Sequence, residues 1–264
     1  MSNDEILNNV TTGSTDTLPV MAAHNTKKPK SPAIIIMKRE LKAYFSGPIA
    51  YIVGALFLII SGVLFFSTFF INNSADMRQF FVNLPLLLSF FIPALTMRVF
   101  AEEKRIGSME TLMTLPVKET DVVTGKYLAS FFSTLIMIAP TLLYVFTIEL
   151  FGSPDYGPII TGYIGTIFLA AAFTAIGIFA TSITNNQIIA FFTGFIICIV
   201  LTMLDAFMIF LPAPLVSFFS YLSATIHFDS LTRGILDSRD LLYFISLTAL
   251  FFVLTVKQQQ RAKN

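Results

Sequence analysis

Residues 159–181 read IITGYIGTIFLAAAFTAIGIFAT and, after the break SITNN, residues 187–211 read QIIAFFTGFIICIVLTMLDAFMIFL. The first run carries no charge and the second a single one, Asp205. About 20 mostly apolar residues cross the ~30 Å hydrocarbon layer as a helix. Each run is long enough to span, and the polar break between them leaves room only for a tight return. The pair reads as a transmembrane hairpin.

Working outward, the same test picks out residues 49–71, 80–97, 127–148 and 241–256, which makes six spans. Pro85, Pro93 and Pro140 fall inside them and read as local bends, because neighbouring helices can satisfy the freed carbonyls. Composition agrees. Of 264 residues, 55% are hydrophobic and 12% charged, with 29 Phe; soluble domains carry about 25% charged residues. The fold class is an all-α integral membrane protein. Residues 33–257 form its transmembrane domain, between a polar tail at 1–32 and a short tail at 258–264. The first tail lacks the apolar core of a signal peptide and is too polar to order itself. Residues 212–226, PAPLVSFFSYLSATI, are apolar but short and open on prolines; they read as either a re-entrant or an interfacial segment before span six.

Basic residues set orientation through the positive-inside bias. Fourteen of the 17 Lys and Arg flank the ends that would share one side, and Arg78, Arg233 and Arg239 fall on the other. Both termini are expected in the cytoplasm. In span four, Ala171 and Ala175, with Thr174, Gly177 and Thr181 on a neighbouring ridge, let helix backbones approach closely.

Chemistry is sparse. A net charge of +1 argues against a nucleic-acid binder. The lone Cys198 reads as a small hydrophobe, and no metal site is expected. There is no GxxxxGK[ST], no HExxH and no GxSxG, so no enzyme is expected in this chain. His227 and Asp229, two apart, read as a solvated pair. Glu149 and Asp205 are the ionisable groups nearest the membrane interior and the candidates for a transport path.

The informative stretches flank the spans. In SPAIIIMKRELKAYFSGPIAY (31–51), Ile34, Ile35, Met37, Leu41 and Tyr44 or Phe45 share one helix side, with Lys38, Arg39, Glu40 and Lys42 largely on the other. That pattern suits a helix lying in the inner interface, its cations at anionic headgroups. Gly47-Pro48 then turns the chain into the membrane. Between spans two and three, Glu102, Glu103, Lys104 and Arg105 precede Gly107-Ser108. Ile106, Met109, Leu112 and Met113 then give a short helical pattern that Pro116 stops. It reads as either a connector lying on the membrane or a peg for a soluble partner.

Here the chain resembles a known family. Residues 102–117, EEKRIGSMETLMTLPV, are similar to the E-x-x-x-G-T-x-E-x-L-L-x-x-P stretch of ABC-2-type transporter permeases, with Ser108 where the family commonly has Thr. Gly125-Lys126-Tyr127-Leu128-Ala129 resembles the motif opening their third helix. Lys38-Arg39-Glu40-Leu41 resembles their elbow helix. His227-Phe228-Asp229 with Arg233–Asp237 resembles the loop before their last span. Within the family, the short single-domain form is similar to the gliding-motility-associated permease of Bacteroidetes.

The resemblance implies a permease subunit in the bacterial inner membrane. It would bind no cofactor itself, while two copies of a separate ATPase subunit hydrolyse ATP with Mg. A second permease chain, identical or a sister subunit, would pack beside it within membrane lipid. It also implies that Glu102, Glu103, Gly107, Ser108, Met109, Glu110, Leu112, Met113 and Pro116 couple to the ATPase, a helix-in-groove contact. Two alternatives stay open: a membrane scaffold for ATP-driven assembly of surface machinery, and an ion-coupled carrier working through Glu149 or Asp205.

Overall fold

The computed structural model of the chain describes residues 31–72, 76–107, 118–152, 154–208 and 212–263. Among them every regular element is helical. Helix α1 (Pro32–Ser46) starts on a proline, whose missing N–H costs nothing in a first turn. Gly47-Pro48 resets the chain direction, and α2 (Pro48–Asn72) forms the first span. Span two is α3 (Arg78–Thr96), continued through a turn into the short α4 (Ala101–Ile106). Span three is α5 (Glu119–Ile138), a 3-10 turn at Ala139–Thr141, and α6 (Leu142–Phe151). The turn sits on Pro140, which the sequence marks as a bend. There the Thr141 hydroxyl donates to Ile138 O at 2.8 Å.

Spans four and five are α7 (Tyr156–Ile183) and α8 (Gln187–Phe207). Their connection is as tight as the sequence requires, and Asn186 caps α8 by accepting from Ile188 N at 2.9 Å. The stretch after span five forms two helices, α9 (Ala213–Leu222) and α10 (Ala224–Thr232), broken at Ser223. The regular structure runs past residue 226. Helix α10 packs on α7, α8 and α3, burying Ala224, Phe228 and Leu231. The last span, α11 (Ser238–Lys263), is longer than residues 241–256 because the polar residues at both ends stay helical.

Among the described residues six helices are long and apolar enough to cross a membrane: Pro48–Phe70, Arg78–Ile106, Glu119–Phe151, Tyr156–Ile183, Gln187–Phe207 and Ser238–Arg261. Helix α7 is the hub, packed against α3, α5, α8, α10 and α11. Its small residues face inward. A Cβ on Gly162 would lie 2.6 Å from the Phe81 ring, and one on Gly177 would lie 2.2 Å from Thr96 Oγ1. The small-residue pattern of span four therefore serves packing within the chain. Phenylalanine fills the wider gaps: Phe57 meets Phe91 edge-on at 5.5 Å, and Phe65 stacks on Tyr144 at 4.7 Å.

Candidate functional site at the elbow end of the bundle

A buried lysine organises the end of the bundle where α1, α4 and α5 meet. Lys126 lies two turns into α5 with its side chain fully shielded. Its ammonium is 2.9 Å from Glu103 Oε1 of α4, 3.2 Å from Glu40 Oε1 of α1 and 3.0 Å from Val99 O. It also stands 5.1 Å from the centre of the Phe100 ring. An isolated ammonium would be costly to bury, by several kcal/mol. Two carboxylates, a carbonyl and an aromatic face together offset that cost. The carboxylates keep 16% and 18% exposure, so the cluster is open on the glutamate side.

The residue before it allows this approach. A Cβ on Gly125 would sit 2.8 Å from both Ala33 O and Ile36 Cβ, so α1 can lie on α5 only over a glycine. Gly125-Lys126 therefore has two physical jobs, close packing and charge. Tyr44 adds a hydroxyl contact to Ser130 at 2.9 Å. Burial pushes the Tyr44 phenol up, the Glu40 charge adds to this, and the phenol stays protonated.

The residues singled out by sequence divide as follows. Glu103 and Glu40 meet on Lys126, whereas Glu102 faces Arg98 at 3.9 Å on the surface. Gly107 ends α4 in the left-handed region (φ +77°), its N–H donating to Lys104 O at 3.3 Å. The short helical pattern that the sequence begins at Ile106 is thus interrupted there, because α4 closes on that glycine. Lys104 donates to Ser182 O at the end of α7. Ser108, Met109, Glu110, Leu112, Met113 and Pro116 lie outside the described residues, as does most of the 1–32 tail. Lys38 and Arg39 are exposed and Leu41 is half-buried.

One expectation for α1 needs correction. Glu40 does not share a solvated face with Lys38, Arg39 and Lys42, because it turns onto Lys126. The side of α1 that meets the bundle is Ala33, Ile36, Met37, Glu40 and Tyr44, which leaves Ile34 and Ile35 exposed beside it. The missed signal was a lone acid among cations, paired with a lysine directly before an apolar run.

Glu149 and Asp205 stand apart from this junction. Glu149 accepts from the exposed Tyr156 hydroxyl at 3.1 Å, and Asp205 is half-buried in the last turn of α8. His227 is not partnered by Asp229. Its Nδ1 meets Asp240 at 2.7 Å, its ring stacks on Tyr243 at 4.2 Å, and Asp229 pairs with Arg233 one turn along α10.

Six spanning helices around a central fourth define a multi-pass α-helical membrane protein. Residues 71–257, well over half of the chain, match the model of the ABC-2 family of transporter proteins, and the chain belongs to that family. A comparison with curated proteins finds no match. The matched stretch contains Glu103 and Lys126 but not Glu40, so the junction ties the family's region to the helix that precedes it.

Proposed function

We propose that this chain is the permease subunit of an ATP-driven exporter, lying in the bacterial inner membrane with both termini in the cytoplasm. Two copies of a separate ATPase subunit dock beneath it, and a second permease chain, identical or a sister, completes the complex. ATP and Mg bind only to the ATPases. The observation that carries this reading is the three-way junction on Lys126. Glu103 belongs to the helix leading into residues 108–117, Glu40 to the elbow helix, and Lys126 to the third span.

A push on residues 108–117 by a moving ATPase reaches spans one and three through one buried cation. The charge stays compensated when one carboxylate slips, because the other still holds the ammonium. In this reading Glu102 and Glu110 present charge to the ATPase, while Met109, Leu112 and Met113 fill its groove. In this reading the subunit serves gliding motility, as the resemblance of its sequence to the short single-domain permease implies.

A mild-detergent affinity purification from native membranes tests the assignment. An ATPase chain recovered near equal stoichiometry is expected, with Glu103→Gln and Leu112→Ala retaining insertion but losing substrate-stimulated hydrolysis. Recovery of no nucleotide-binding chain would overturn the ATP-driven assignment, whereas hydrolysis stimulated only by a surface-machinery protein would overturn export in favour of scaffolding. Full transport by an ATP-depleted system that fails on neutralising Glu149 or Asp205 would favour the ion-coupled carrier. Loss of surface spreading on deletion of the chain tests the gliding assignment.

A further inference from the structure

Two adjoining cavities beside the junction form an amphipathic cleft that shares the wall residues Ala50 and Leu95. The first, of about 260 Å³, is bounded by Arg39 and Tyr44 of α1, Arg98 beyond α3 and Glu102 of α4. The second, of about 300 Å³, is walled by Gly54 and Leu58 of α2 and by Ile136, Met137 and Pro140 of span three. Both are lined by Ala50 and Leu95, so the chamber that carries the charged side chains adjoins the apolar one. Phe45 and Tyr51, packed edge-on at 6.1 Å, line the second cavity, and aromatics of this kind gather at membrane interfaces.

We infer that this cleft is a binding site for one phospholipid with a zwitterionic, amine-bearing headgroup, drawn from the leaflet in which α1 lies. Depth supports an acyl chain. Leu58 is ten residues beyond Pro48, roughly 15 Å at 1.5 Å per residue, which is one leaflet of a ~30 Å hydrocarbon layer. Charge supports the headgroup. Glu40 and Glu103 are engaged by Lys126; at the mouth stand Arg39 and the exposed Arg98–Glu102 pair, 3.9 Å apart, which a headgroup's phosphate and ammonium would part and engage in turn. Guanidinium groups suit a phosphate, and the Glu102 carboxylate suits a primary ammonium while disfavouring a second anion. An exposed apolar face alone would take any lipid; this mouth selects between headgroups. The inference concerns the cleft's own chemistry and holds whether or not the chain works with an ATPase.

The test uses the full chain purified in detergent, exchanged free of lipid and offered phosphatidylethanolamine, phosphatidylglycerol or diacylglycerol with identical acyl chains. Native mass spectrometry should find one phosphatidylethanolamine per chain, retained about tenfold over either competitor, the discrimination expected of one charge-assisted contact. Arg39→Ala with Arg98→Ala should erase that preference. Gly54→Leu should abolish retention by filling the trough, since a Cβ there meets only Met137 Cγ, at 4.0 Å. Equal or greater retention of phosphatidylglycerol would overturn the headgroup assignment. In the unaltered protein, a phosphatidylethanolamine with a photoreactive acyl chain should label residues 45–58 and 136–140. Labelling spread evenly over the outward faces of α2 and α8 would overturn the site.

Discussion

Along α7, Gly162 and Gly177 meet Phe81 and Thr96 of α3 with no space for a methyl group, whereas at the junction Lys126 meets α1 and α4 through charges 2.9–3.2 Å away. Apolar interlocking depends on shape, and any sliding forfeits its contacts within a fraction of an ångström. A shared ion pair depends on charge, and a lysine flanked by two carboxylates can favour one without exposing itself. The hub is therefore built to stay and the junction to adjust.

The comparison breaks first at Lys126. Lys126→Met leaves two carboxylates crowded at a half-buried site, and the expected loss is about 3–5 kcal/mol. Cys198 is the only cysteine and is fully buried, so labelling by a thiol-reactive fluorophore during heating reports unfolding directly. Adding Glu40→Gln and Glu103→Gln should restore most of the stability, since neutral replacement of a buried pair is often tolerated. In the proposed complex with an ATPase it should not restore substrate-stimulated hydrolysis. A melting temperature unchanged by Lys126→Met would show that the junction is not electrostatic.

At the hub, Gly177→Ala forces a shift against Thr96, and overpacking of this kind costs about 1–3 kcal/mol. Thr96→Ala in the same chain should recover part of the loss, because it removes the hydroxyl 2.2 Å away but leaves the Thr96 Cβ position at 3.2 Å. The same labelling assay checks both, and simple additivity of the two substitutions would deny the contact. Tyr44→Phe removes one half-buried hydrogen bond to Ser130 and should cost about 1 kcal/mol. Arg98→Ala disturbs only an exposed pair with Glu102, 43% and 36% accessible. Its expected effect on stability is below about 1 kcal/mol. A larger one would extend the junction outward to the cleft mouth.

The spans were legible because a bilayer imposes a length and a composition that a chain must satisfy locally. Their ends were less so. Span two continues into charged α4, and the last span runs from Ser238 to Arg261, since helices persist through polar residues once their apolar portion is anchored. The break at Pro140 followed from one residue's missing donor. Gly125-Lys126 stood out as a motif, yet neither its glycine nor its lysine could be given a physical task from periodicity. The pairing of His227 with Asp240 instead of Asp229 was likewise hidden, because partners thirteen residues apart across a helix break share no repeat.

By itself the amino-acid sequence determined that six stretches are long and apolar enough to cross the membrane, that the third is interrupted at Pro140, and which short stretches carry charge beside those spans. Each of these follows from the cost of placing a polar or apolar group in water or hydrocarbon, a property of the residue and its near neighbours. The tertiary structure decided which charges meet. Glu40 and Lys126 are 86 residues apart and touch because Gly125 lets α1 lie against α5. Burial of one ammonium then turned Glu40 away from its own helix's polar face. That outcome depends on the sum of desolvation, packing and Coulomb attraction at one place, and exists only once the helices are together.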